Sequence, residues 1–491
     1  MRDQTPLRLL LTLCGALLVL AAATACAGPR EAAVDLDALL SGTQAPTAEQ
    51  PTAAPTEVTQ PRPTSAPRAE VVPVLDENCV NCHTNQEMLM TLATEAEEPL
   101  STGEGWGSVP PMEAWEKVLI SEEAVTTGVH AFISCTDCHG GNDVEDMEEA
   151  HVGLIADPSD APTSVCGECH TDVQAAHNGS LHQTLAGFDT ALHQRSIPEN
   201  HPVLDEMQAN NCSSCHTSCG DCHISQPTIA GGGLLAGHQF VQEPPMTQTC
   251  TACHGSRVGN EYTGGNEGIP ADVHFTQGEM TCVACHNGNE MHGQGLAVSH
   301  RFQGTRTPRC ESCHEAALTV AAGIEEHTIH GQDVACQVCH SVEYTNCSGC
   351  HVQQTEDGVP YYEMDPSWME FRIGLNTNRT PERPWQYILV RHVPITPDSF
   401  DFYGENLLPN FNARPTWLET TPHNIQRVTP QAERCENCHG NPDIFLTLDA
   451  VAEDELEANR SVIVSEPPSL TLLDQVQRAP QDEPQQPTSE D

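Results

Sequence analysis

The pattern Cys-x-x-Cys-His occurs eleven times in this chain of 491 residues, and it restricts the possible folds more tightly than any other feature. The first cysteines are Cys79, Cys135, Cys166, Cys212, Cys219, Cys250, Cys282, Cys310, Cys336, Cys347 and Cys435. The second are Cys82, Cys138, Cys169, Cys215, Cys222, Cys253, Cys285, Cys313, Cys339, Cys350 and Cys438. His83, His139, His170, His216, His223, His254, His286, His314, His340, His351 and His439 close the units. Of 24 cysteines, only Cys14 and Cys26 stand outside them.

Paired cysteines serve disulfides, zinc sites, redox motifs or attachment of c-type haem. Disulfide frameworks need no histidine after each pair, zinc ribbons group pairs in twos, and redox Cys-x-x-Cys motifs occur singly. At the histidine frequency of this chain, eleven pairs all followed by His by accident has a probability on the order of 10⁻¹⁴. Haem chemistry explains the spacing. Each thiol adds to a vinyl group, two intervening residues separate the sulfurs on a helical turn, and the adjacent histidine reaches the iron. The sequence predicts about eleven covalently attached haem c groups.

Whether each iron has a second protein ligand separates a carrier from a catalyst. Fourteen histidines lie outside the motifs, enough to close every iron. The expected second ligands are His130, His151, His182, His201, His238, His274, His292, His300, His330, His392 and His423. His177, His193 and His327 each have a better-placed neighbour, in His182, His201 and His330. Met246, Met280 and Met291 lie near motifs and are alternatives at one or two irons. No catalytic residue is assigned.

These motifs make the chain resemble multihaem c-type cytochromes of the bis-histidine electron-transfer type, over roughly residues 75 to 440. The stretch CGECHTDVQAAHNGSLH, 166 to 182, resembles units shared by hydroxylamine-oxidoreductase-like and nitrite-reductase-like proteins. In those a Ser-x-His after the motif supplies a distal ligand, which implies that role for His182, with Ser180 before it. The units around His274 to His292 are similar to small bis-histidine cytochromes. The chain departs from the enzymatic relatives that use lysine at the active haem: every motif ends in His, and Lys117 is the only lysine. Hydroxylamine oxidoreductases use a tyrosine cross-linked to the catalytic haem, and Tyr361, Tyr362, Tyr387 and Tyr403 leave that open.

Successive first cysteines are 56, 31, 46, 7, 31, 32, 28, 26, 11 and 88 residues apart. Five intervals of 26 to 32 suggest a quasi-repeat contributing one haem per unit. Between His216 and Cys219 the chain spans at most about 11 Å, so the fourth and fifth haems are expected to be neighbours. The predicted fold is mainly α with much irregular coil: short helices and loops wrapped around a chain of covalently bound haems. Residues 1–25 have the charged start, apolar core and small-small-Cys ending of a lipoprotein signal peptide, with Cys26 lipidated. A Pro/Thr/Ala-rich stalk is expected at 26–74 and a ten-haem region at 75–351. A haem-free aromatic subdomain follows at 352–434, then the eleventh haem segment at 435–455 and a disordered acidic tail at 456–491. Arg383, Arg391 and His392 in the aromatic subdomain suit either packing or a substrate pocket.

Twenty Lys and Arg against 69 Asp and Glu give a formal charge of −49, which argues against nucleic acid and favours redox partner proteins with basic docking faces. The expectation is an exported, periplasmic or cell-surface electron carrier, anchored to a membrane through Cys26. An oxidoreductase acting on a small nitrogen or sulfur compound at one open haem, and a filament-forming cytochrome, remain the alternatives.

Overall fold

The computed structural model describes residues 75–93, 112–160, 164–293, 295–303, 307–342, 346–356, 358–369 and 371–469. The expected signal peptide, Cys26, the stalk and the last 22 residues of the expected tail lie outside the described residues. All 25 histidines lie within them.

The fold is mixed α/β, with many short helices, coil and two small antiparallel sheets. The longest described helix is His201–Asn211, eleven residues opening with Pro202 in its first turn. Side chains fix where several of the short helices begin. Ser134 before Cys135–His139 and Ser218 before Cys219–His223 each accept the amide of an aspartate three residues on, whose carboxylate returns to the serine amide. The pattern Ser-Cys-x-Asp-Cys-His therefore starts its own turn. Gly140, at φ +63°, ends the first of these.

The sheets correct the expectation of a mainly α chain. β1 (Asn346–Gln354) pairs with β2 (Pro360–Met369), and β4 (Tyr387–His392) lies between β3 (Phe371–Leu375) and β5 (Trp417–Glu419). Aromatic and branched residues favour a half-buried pleated surface. Ile373 opposes Leu389, and Arg391 opposes Leu418. At Gly374 a Cβ would lie 2.9 Å from both Val390 methyls, so the close crossing of β3 and β4 needs glycine.

One apolar cluster gathers β3 and β4 with Ala335 and Val338 of the ninth motif, Phe445, Leu446, and Val462 to Val464. The expected disordered tail at 456–491 is thus corrected at its start. Val462, Ile463 and Val464 are buried, and the amide of Leu375 donates to the Val462 carbonyl at 2.8 Å. A second cluster packs Leu204 and Met207 against Val352, Phe400 and Phe411. The described residues from 75 to 186, which carry three motifs, contribute to neither cluster. The apolar side chains buried there, Val80, Leu89, Ala124 and Ala131, join neither.

Candidate metal centres

On a helix, residues i, i+3 and i+4 share a face, which sets both cysteines and the histidine of a motif on one side. Ten of the eleven motifs have a helical backbone. It is α-helical at Glu77–His83, Cys135–His139, Cys219–His223, Cys282–Cys285, Glu311–His314 and Cys336–His340. It is 3₁₀ at Val165–Glu168, Ser213–Cys215 and Cys435–Asn437, and the sixth motif follows two adjoining turns, Met246–Cys250 and Thr251–Cys253. The tenth departs: Cys347 to His351 lies in extended β1. Its backbone does not offer the one-sided placement of a helical turn.

Among the described residues, nine motif histidines each face one histidine from outside the motifs. The pairs are His83 with His151, His139 with His238, His170 with His130, His223 with His292 and His254 with His182. The others are His286 with His423, His314 with His274, His340 with His327 and His439 with His330. Ring centres are 5.8 to 6.4 Å apart. Rings stacked in direct contact can sit closer, as His193 and His201 do at 4.0 Å. A metal bonded at about 2 Å to one nitrogen of each ring, with ring centres about 1.1 Å beyond, spaces the centres by about 6.3 Å. The observed interval fits one metal ion between two imidazoles.

The outer ring nitrogens are held as ligand rings require. Nδ1 of His83, His139, His151, His223, His327 and His340 hydrogen-bonds a backbone carbonyl at 2.7 to 3.0 Å. Nδ1 of His274 meets Asp272 at 2.8 Å, and that of His286 meets Glu290 at 3.1 Å. Each bond leaves Nε2 for the facing ring. Burial, reinforced by the facing imidazoles His254 and His286, pushes His182 and His423 down to about 4. Burial also lowers His130, His238, His292, His330 and His439. Neutral rings keep the lone pair that a metal needs. His286 is raised by its bond to Glu290.

Eight of the eleven expected second ligands thus face a motif histidine: His130, His151, His182, His238, His274, His292, His330 and His423. Ser180, named with His182, caps the helix Leu181–Thr184 that carries it. Three do not face one. His201 stacks on His193, which bonds Asp205 at 2.8 Å. His392 bonds Glu455 at 3.0 Å and meets Trp417 edge-on. His300 lies beside Phe302, under the charges of Arg414, Arg383 and Arg301. His327, passed over for His330, faces His340. Three residues apart on the helix Glu325–His330, the two share a side and reach the ninth and eleventh motifs. In all nine pairs the facing group is histidine, not methionine. Asp189, His193 and Asp205 also converge, as a mostly exposed acidic group.

The aromatic subdomain's arginines are tied down. Arg383 pairs with Glu419 and lies over Phe302, and Arg391 pairs with buried Glu261 at 3.5 Å. Glu261 also accepts the amide of His423 at 2.7 Å, holding that residue towards His286. Tyr361 bonds Gln353, Tyr403 accepts from Asn211, and Tyr387 packs on Phe445. Tyr362 alone of the four touches a motif, at the Cys212 thiol.

Thiols of different motifs approach one another in an order that is not the chain order. Cys79 lies near Cys135, and Cys138 near Cys166. Cys166 hydrogen-bonds Cys219, skipping the fourth motif. Cys222 lies near Cys250, which bonds Cys282; Cys285 is near Cys313; Cys310 bonds Cys336; Cys339 is near Cys438. The fourth motif joins from the side, where Cys215 bonds Cys253. A cavity of about 360 Å³ is lined by Trp115, Leu119, Ile120, Leu234 and Gly237.

No family model, no curated protein and no solved structure matches the chain.

Proposed function

We propose that the chain is an exported multihaem c-type cytochrome that carries electrons between redox partners outside the cytoplasmic membrane. The observation that carries this reading is the set of nine pairs, each of one motif histidine and one other histidine, at the spacing of a shared metal ion. The cysteines of each helical motif would hold haem by two thioether bonds, and the paired histidines would hold its iron. Bound haem supplies reversible one-electron chemistry, and two histidines on each of the nine paired irons leave no position for substrate there.

The protein's own part is to fix spacing and neighbours. Contacts between thiols of different motifs support a line through the first, second, third, fifth, sixth, seventh, eighth, ninth and eleventh motifs. The sparse core around residues 75 to 186 agrees with haem serving as the missing apolar filling. The acidic surface suits a basic partner, and Cys26 would tether the chain to a membrane.

The test is the intact protein matured in a haem-attaching host. Its mass should exceed the mature polypeptide's by ten haems if β1 stays extended, or by eleven if Cys347–His351 winds into a turn. The ferric electron paramagnetic resonance spectrum should show at least nine low-spin irons. Fewer than nine attached haems, or predominantly high-spin iron, refutes the reading.

A further inference from the structure

The fourth motif lacks the arrangement of the nine. Among the described residues no imidazole faces His216. The amide nitrogen of Gln183 instead donates to His216 Nε2 at 2.7 Å, the atom that elsewhere points to a second histidine. Gln183 follows His182 on the short helix Leu181–Thr184, and His182 is already committed to His254. The Thr217 amide donates to the His182 carbonyl at 3.1 Å, which fixes this turn against the fourth motif. Metal at bonding distance from Nε2 requires the carboxamide to draw back. What it leaves is a neutral amide, a far weaker ligand than imidazole.

The spare histidines do not fill the gap. His193 and His392 are held by carboxylates, His201 by the ring of His193, and His300 lies among arginines. His177 is different. It is only 8 % exposed, its Nδ1 has no hydrogen-bond partner, and its electrostatic neighbours are His292, His216 and His223. A buried ring nitrogen without a partner costs stability unless something occupies the space before it, and as the N–H tautomer it can donate to a ligand there.

We propose that the haem held by Cys212 and Cys215 keeps one axial position open to an exogenous ligand of two or three atoms, lined by Gln183 and His177. This rests on the haem reading above and assigns it one reactive centre. The ligand class is that of carbon monoxide, nitric oxide or cyanide, small groups that bind iron end-on and accept a hydrogen bond from His177. The contact of Cys215 with Cys253 joins this centre to the sixth motif, so electrons reach it by a side branch that the main line bypasses.

The experiment uses the full haem-loaded chain and carbon monoxide as probe, with haem counted separately by its pyridine adduct. The dithionite-reduced ten-haem form, in which β1 stays extended and Cys347–His351 carries no haem, should bind one carbon monoxide per chain. Gln183→His should reduce that to none and convert one high-spin ferric iron to low-spin, at unchanged haem content. His177→Ala should keep the stoichiometry of one but shift the C–O stretching frequency, as the donor beside the ligand is lost. Full haem content without carbon monoxide uptake overturns the proposal, as does uptake that Gln183→His leaves intact. Uptake that appears only in His177→Ala overturns it too, since His177 would then be the axial ligand. Absence of haem would instead sink the reading on which the proposal rests.

Discussion

Replacing His327 by alanine separates facing geometry from mere abundance of histidine. His327 lies 5.9 Å from His340, ring centre to ring centre, and its Nδ1 bonds the Ala317 carbonyl at 2.8 Å. The fold loses that bond, worth about 1 kcal/mol, and little packing, because the ring is only part-buried. His340 keeps its own anchor, the Gln426 carbonyl at 3.0 Å, and its helix stays packed through Ala335 and Val338. The chain should therefore fold with a full complement of haem and lose one axial ligand. In numbers, one low-spin ferric signal becomes high-spin, and carbon monoxide uptake by the reduced protein rises by one per chain. His201→Ala is the matched control: it removes an equally accessible histidine from a stacked pair and should change neither readout. Paramagnetic resonance and carbon monoxide titration of the two variants decide it. If His327→Ala stays wholly low-spin, or if His201→Ala produces the high-spin signal, the pairing drawn from ring spacing is wrong.

Three further outcomes are expected. Acid should destabilise the fold: burial keeps His182 and His423 neutral in the folded chain, each facing a motif histidine, while the unfolded chain takes up protons on them as pH falls through about 6.5. Stability is therefore full above about pH 6.5 and falls as pH drops below it. A urea midpoint that does not fall between pH 7 and 4.5 would contradict this. Truncation after Glu455 removes Val462, Ile463 and Val464 from the core, at about 1.5–3 kcal/mol each, and should abolish soluble haem-loaded protein; a truncated chain melting like the intact one would refute the packing. Glu261→Gln removes a buried charge facing Arg391 and loosens the hold on His423, and a loss of about 3 kcal/mol should appear in thermal melts, whereas an unchanged melting temperature would count against that role.

The motif histidines were legible because five residues encode their own local geometry. A helical turn brings two cysteines and a histidine to one face wherever it forms, and Ser134 and Ser218 even encode its start. The second histidines were legible as a class but not as partners. His130 lies just before the second motif yet faces His170 of the third, and His274 lies just before the seventh yet faces His314 of the eighth. Proximity in sequence misleads because each haem-sized gap is closed by whatever segment crosses it. His327 was passed over for a related reason: one helical turn carries two histidines for two different motifs, which looks redundant until the ninth and eleventh motifs are brought together. That meeting depends on the sheet, where β3 and β4 receive Phe445 and Val464 from far along the chain. The run YILVRH has strand propensity, but its sequence does not reveal that it organises the 88-residue interval, because the residues it packs on lie far along the chain.

The thiol contacts between motifs also bear on how such a chain is made. Cys166 touches Cys219, Cys250 touches Cys282, and Cys310 touches Cys336, each from a different unit. Outside the cytoplasm, where oxidation is favoured, a chain that reached this arrangement with bare thiols would sit one oxidation step from cross-linking the wrong partners. On the haem reading proposed above, each pair would have to be capped before its partner thiol from another unit arrives. Protein made without haem attachment in an oxidising compartment should then appear as a ladder of mispaired disulfides rather than as an empty version of the same fold.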